Sequence, residues 1–169
     1  MNNICKFNLK NNFSSRDLSC CLLKKFGKNM PIVVCLGSDK VLSDMVGVLV
    51  ADKLKQKNIP LKVFGGSKLP IGGNNLDFLL KNLSSKNILF VDSVLTNFVG
   101  NVYFSPKGIT LKNGRQYAGA SIGAGTIFLK NNRVLLAQTS YVEVLMFANT
   151  IVDAICNYVY FAKLLNNCK

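Results

Sequence analysis

Apolar residues fall in two kinds of pattern along the chain, continuous runs and helical stripes, and their alternation sets out the architecture. Ser15 can cap a helix over 16–26, and Gly27 is its stop signal. Ile32-Val33-Val34-Cys35-Leu36 is apolar throughout, the pattern of a strand buried on both faces. A polar loop follows over 37–43. Ser43 or Asp44 then opens a helix with Val46, Leu49, Val50 and Leu54 inward, and Lys53, Lys55 and Lys57 sit at its end. Acid at the start and base at the end both suit the helix dipole. Leu61 to Phe64 predicts a second strand, broken by Gly65 and Gly66, and 75–83 a short helix carrying Leu76, Leu79, Leu80 and Leu83. Ile88-Leu89-Phe90-Val91-Asp92 reads as a third strand that Asp92 terminates.

Between Val99 and Gln138 the pattern changes to short strands and glycine turns, with Lys112-Asn113-Gly114-Arg115 as a hairpin turn and antiparallel pairing expected. A long helix closes the chain. Its stretch from Val142 to Leu165 could span a bilayer by length, yet Asn149, Asp153 and Asn157 recur every four residues and form one polar stripe. Such a stripe suits a helix packed on a water-soluble core. Strands alternating with helices predict an α/β fold, a three-layer α/β/α sandwich with a mostly parallel twisted sheet. At 169 residues one domain is expected, its core over about 15–165 and residues 1–14 forming a flexible N-terminal segment.

Composition changes this picture little. The net charge of +13 invites a nucleic-acid reading, but only three of 21 basic residues are arginines and the lysines are scattered. Dispersed charge is the mark of a solvated surface, so no specific nucleic-acid partner is expected. The six cysteines show no CxxC pairing, and Cys35 sits in the most apolar strand, so reduced thiols in a cytoplasmic protein are expected. The early apolar run from Leu18 to Leu23 is too short for a signal peptide, and no membrane association is expected.

Elimination narrows the chemistry. The chain has no histidine, which rules out a Ser-His or Cys-His nucleophile and a histidine-bound metal. A Ser38–Lys40 pair is conceivable but rests only on adjacency. Among the eight acids, Asp17, Asp52 and Asp77 read as surface charge, Glu143 as the start of the last helix, and Asp153 as part of its stripe. Asp39, Asp44 and Asp92 remain. In an open α/β sheet, ligands bind beyond the carboxyl ends of the strands. If the strands leading to Asp44 and Asp92 are neighbours, both carboxylates reach one crevice. There they would share a proton, and the helix start would keep Asp44 the more acidic. A base for water and an acid for the leaving group would result. The plain alternative is that Asp44 caps its helix and Asp92 binds loop amides. Gly37, Ser38, Asp39 and Ser93 are the loop and substrate-binding candidates, Asp39 by accepting backbone N–H bonds. No metal or cofactor is expected. The Gly119, Gly123 and Gly125 stretch reads as a bent strand that could otherwise approach a ligand.

The segment from Pro31 to Lys40 with Ser43-Asp44-Met45-Val46-Gly47 resembles the YyaC-type sporulation proteins of spore-forming Firmicutes, whose strand leads to a Gly-Thr-Asp-Arg loop and a Gly-Asp-x-Leu-Gly-Pro helix start. Val63-Phe64-Gly65, Pro70, Asn75-Leu76, Phe90-Val91-Asp92, Leu136 to Thr139 and Met146 to Thr150 follow in the right order. That family is similar in turn to the germination protease and the hydrogenase maturation endopeptidases. The resemblance implies their fold, and an endopeptidase in which Asp44 and Asp92 activate water. It further implies a peptide or protein substrate such as small acid-soluble spore proteins, and a location in the forespore or spore interior. Departures from the pattern are Ile71-Gly72-Gly73 where the family has a histidine, Val48 in place of a proline, and a thinned loop at Ser105-Pro106-Lys107-Gly108. They leave open a catalytically inactive peptide- or partner-binding protein on the same fold, and a homo-oligomer.

Overall fold

The computed structural model describes residues 4–11, 13–83, 87–97, 99–111, 113–130, 133–135 and 139–167. Lys112, Leu136, Ala137 and Gln138 of the segments above lie outside them. In chain order the elements are β1 (Cys5–Asn8), α1 (Ser14–Phe26), β2 (Ile32–Cys35), a 3-10 turn (Leu42–Asp44), α2 (Val46–Gln56), β3 (Val63–Phe64) and α3 (Leu76–Lys81). They continue with β4 (Ile88–Thr96), β5 (Asn101–Ser105), β6 (Ile109–Thr110), β7 (Gln116–Tyr117), β8 (Ala120–Lys130), β9 (Arg133–Leu135) and α4 (Tyr141–Asn167).

The main sheet runs β1-β5-β8-β4-β2-β3, with β9 paired to β8. Its β8-β4-β2-β3 half is parallel, while β5 joins β8, and β1 joins β5, antiparallel. This is the mostly parallel α/β sheet expected. The segment before residue 15, expected to be flexible, instead supplies edge strand β1. Its alternation of half-buried Cys5 and Phe7 with exposed Lys6 and Asn8 is the period-two pattern of an edge strand.

Two apolar layers sandwich the sheet. On one face Val33, Cys35, Leu89, Val91, Ile122 and Ala124 pack under α1, α2 and α4. On the other, Val34, Ile88 and Phe90 meet Leu76 of α3, with Ile109 and Tyr117 of the β6–β7 hairpin against them. The second layer is thin, a six-residue helix and a hairpin, and covers only the β3-β2-β4 side. Among the described residues no helix lies over that face of β8, β5 and β1.

The last helix behaves as its stripe implies. By length and composition it could cross a membrane. Here Phe147, Ile151, Ile155 and Tyr158 are fully buried against the core, while Asn149, Asp153 and Asn157 are exposed. Ser140 and Glu143 form a capping box: Glu143 N–H donates to Ser140 Oγ (3.2 Å) and Ser140 N–H to Glu143 Oε2 (2.8 Å).

Several boundaries differ from expectation. α1 begins at Ser14, and Ser15 makes no cap; Gly27 does end the helix, at φ +56 with its N–H on Leu23 O. Helix α2 begins at Val46, later than Ser43 or Asp44. β4 does not stop at Asp92 but runs to Thr96, and β8 is a single eleven-residue strand where short ones were expected. The strand persists through its glycines because neighbouring side chains pack over them. A Cβ on Gly123 would sit 2.7 Å from the Val94 side chain, and one on Gly125 3.1 Å from Tyr103 Cε2.

Candidate active site

Chain direction creates the site. From β2 the chain crosses by α2 to β3 on one side, then returns by α3 on the opposite face to β4 on the other side of β2. The connections therefore diverge above the carboxyl ends of β2 and β4, the topological switch point where α/β sheets open a crevice.

β2 is held tightly as it exits there. Leu36 N–H donates to Val91 O (2.7 Å) and Gly37 N–H to Ile71 O (3.0 Å). The chain then folds back so that Ser38 N–H reaches Asp44 O (3.3 Å). Only glycine suits position 37: its φ is +144, and a Cβ would lie 2.2 Å from Asp44 O. Ser38 Oγ accepts the Lys40 N–H (3.2 Å). The loop bond expected of Asp39 is thus made by Ser38, and Asp39 itself is exposed.

Asp44 closes the 3-10 turn and is half-buried. It is not the cap of α2; Met45 holds that position, with no side-chain cap hydrogen bond. The turn is pinned to the sheet from below. Buried Thr126 Oγ1 of β8 donates to Ser43 O (2.6 Å), and Thr126 O accepts from buried Thr139 Oγ1. The turn consequently packs against both β4 and β8.

Asp92 lies one residue past Val91, the last β4 residue paired with β2. One neighbour has ended there while β8 continues, with Asp92 opposite Gly123. This position, rather than a strand end, exposes the carboxylate. Alternation puts Asp92 on the face of Phe90, away from α2. It lines a cleft of about 520 Å³ whose walls include Leu95, Gly73, and Thr110, Leu111 and Asn113 of the β6–β7 hairpin. Its Oδ1 accepts the N–H of Ser93 (2.8 Å), its neighbour within β4. The hairpin wall is tied to α3 by Asp77, whose carboxylate takes the Arg115 guanidinium on one oxygen and Tyr117 OH (2.7 Å) on the other.

The two aspartates thus flank one strand end, joined by a short path: Asp92 follows Val91, Val91 bonds Leu36, and two residues on Ser38 bonds Asp44. The cleft is lined by Asp92 and Ser93; Asp44, Gly37, Ser38 and Asp39 are not among its walls. Beside the aspartates lie the Ser43 and Ser93 hydroxyls, buried and, among the described residues, without a hydrogen-bond partner. Among the described residues no cluster of three or more Cys, Asp or Glu could hold a metal. The sequence reading missed Thr126 and the hairpin walls. Thr126 is a polar residue in an apolar strand, a signal that could have marked it; the hairpin has no local signal.

A family model described as a protein of unknown function, DUF1256, matches residues 6–154. The chain belongs to the DUF1256 family. No curated protein sequence matches the DUF1256 chain significantly. Among solved structures it is similar to the [NiFe] hydrogenase maturation protease HybD from Thermococcus kodakarensis, at 14% identity and a TM-score of 0.44, over 80% of this chain and 98% of that one.

Proposed function

We propose that the DUF1256 chain is a peptide-bond hydrolase in which Asp44 and Asp92 act together. The observation that carries this reading is Asp92 on an open cleft at the switch point, with Asp44 on a turn docked over the same strand ends. An ionised carboxylate would take a proton from water as its oxygen attacks the peptide carbonyl. The second carboxyl, protonated, would give its proton to the departing amine, leaving a free acid and a free amine. The resemblance to sporulation proteins extends the proposal to a sporulation-associated endopeptidase of the forespore, with small acid-soluble spore proteins as its substrates.

The test is cleavage of a quenched-fluorescence peptide library by wild type, Asp44→Asn and Asp92→Asn. Each variant is expected to lose about 100-fold or more in rate. Cleavage unchanged in both variants ends the catalytic proposal.

One observation favours a second reading, in which the protein holds a peptide without turnover. Only one of the two aspartates lines the cleft. This reading predicts saturable peptide binding that Asp44→Asn leaves intact, with no cleavage at any pH.

A further inference from the structure

Two thiols from separate elements meet at the edge of the sheet. Cys5 lies on edge strand β1 and Cys21 on α1, and both are half-buried against the core layer beneath the helices. The Cys21 side chain is hydrogen-bonded with that of Cys5. Fifteen residues lie between them, and that segment is folded back so that β1 and α1 stay together. Ser14 Oγ at the start of α1 donates to Asn8 O at the end of β1, and Leu9 N–H donates to Gly100 O (2.9 Å).

The other described cysteines are placed differently. Cys20 is exposed, and as the helical neighbour of Cys21 it points another way, since adjacent helix positions do not face each other. Cys35 is buried in β2, and Cys156 belongs to α4. The pair also joins a weak place to a strong one. β1 has a single sheet neighbour, β5, and such an edge opens more readily than the core. Helix α1 packs on α4. Burial, and then the hydrogen bond to Cys5, raise the Cys21 thiol from 9.0 to about 12. Cys21 therefore keeps its proton while Cys5 is a thiol, and the first attack on an oxidant falls to Cys5.

We infer that Cys5 and Cys21 are a reversible redox site, closing to an intramolecular disulfide by exchange with a low-molecular-weight disulfide and so stapling the edge strand to α1. The Cys5 thiolate attacks one sulfur of the reagent, whose S–S bond breaks, and the departing thiolate takes up a proton. Cys21 then gives up its proton and attacks the Cys5 sulfur, expelling the second half of the reagent as a thiolate that is protonated in turn. Two protein thiols are oxidised, and one reagent disulfide is reduced to two thiols. Capping Cys5 in the first step removes its hydrogen bond to Cys21, which favours the second. The site is independent of the chemistry proposed at Asp92.

A bond that stabilises the fold is itself favoured by the fold, and this reciprocity supplies the test. The full chain is equilibrated at mildly alkaline pH with glutathione and glutathione disulfide, once folded and once in urea. After an acid quench and alkylation, peptide mapping by mass spectrometry measures the linked and reduced forms. The Cys5–Cys21 link is expected to be favoured about 10-fold or more in the folded chain over the unfolded one. Cys20→Ser is expected to leave that preference in place, and Cys5→Ser to leave Cys21 without an intramolecular link. Equal preference in the folded and unfolded chains overturns the inference. So does a link from Cys5 to Cys20 in place of Cys21, or separate glutathione adducts on Cys5 and Cys21 with no link between them.

Discussion

Gly47→Ala sets two physical effects against each other, and the structure decides the winner. Gly47 is the second residue of α2, where replacing glycine by alanine gains at most about 1 kcal/mol of helix propensity. Here a Cβ would sit 1.8 Å from Leu36 O, at the exit of β2. A carbon and a carbonyl oxygen rest no closer than about 3.3 Å, so α2 would have to retreat by about 1.5 Å. The three nearest atoms, Leu36 O, C and N, are all backbone, and no rotamer change can relieve the clash. Retreat pulls buried Val46, Val50, Ala51 and Leu54 off the sheet. Overpacking of this kind costs about 1–3 kcal/mol, more where nothing can yield. With backbone as the obstacle the cost falls at the top of that range, about 3 kcal/mol, and the expected net effect is a loss of about 2 kcal/mol, or a Tm lower by about 4–8 °C for a chain of this size. Urea unfolding followed by circular dichroism measures it, with the slope m unchanged. Gly72→Ala is the control: a Cβ there meets nothing within 4 Å, and stability should move by less than about 0.5 kcal/mol. A Gly47→Ala protein as stable as wild type would refute the argument. The spacing of Asp44 and Gly47 would then need another explanation than contact with the end of β2.

Three further outcomes follow from the same structure. Thr126→Val keeps the shape but removes the donor to Ser43 O, so it should cost about 1–3 kcal/mol in urea unfolding, while Thr126→Ser recovers most of the loss; equal stability of all three proteins would sink the pinning role. Burial raises Cys35 well above its ordinary 9.0, and Tyr158 from 10.0 to about 12. Above pH 9 the unfolded chain therefore releases protons that the folded chain keeps. Stability should be flat with respect to these groups below pH 8 and fall as pH rises through 9 to 12, by up to about 1.4 kcal/mol per pH unit for Cys35 alone. Cys35→Ala should flatten part of that fall, and an unchanged alkaline slope would contradict the assignment. Finally, a disulfide reagent should label exposed Cys20 rapidly in the native protein and reach buried Cys35 only on unfolding, as peptide mapping by mass spectrometry would show.

What the sequence alone determined is what repeats locally. The continuous run at 32–36 is apolar because β2 is covered on both faces, and that pattern needs no knowledge of partners. The stripe of Asn149, Asp153 and Asn157 likewise separated a core helix from a membrane span. The absence of histidine is also a property of the sequence alone and needs no coordinates. The two aspartates could be singled out, but their relation could not. Asp92 looked like a strand end because a charge follows four apolar residues; in fact β2 stops beside it while β4 continues on β8. Whether a neighbouring strand has ended is a property of another part of the chain. The same holds for Gly123 and Gly125, legible as part of a bent strand, whose cover by Val94 and Tyr103 no local pattern shows. Strand order and the hairpin wall of the cleft both join distant segments. Only the tertiary structure decided them, because hydrophobic patterning states which face of an element is buried and never what it is buried against.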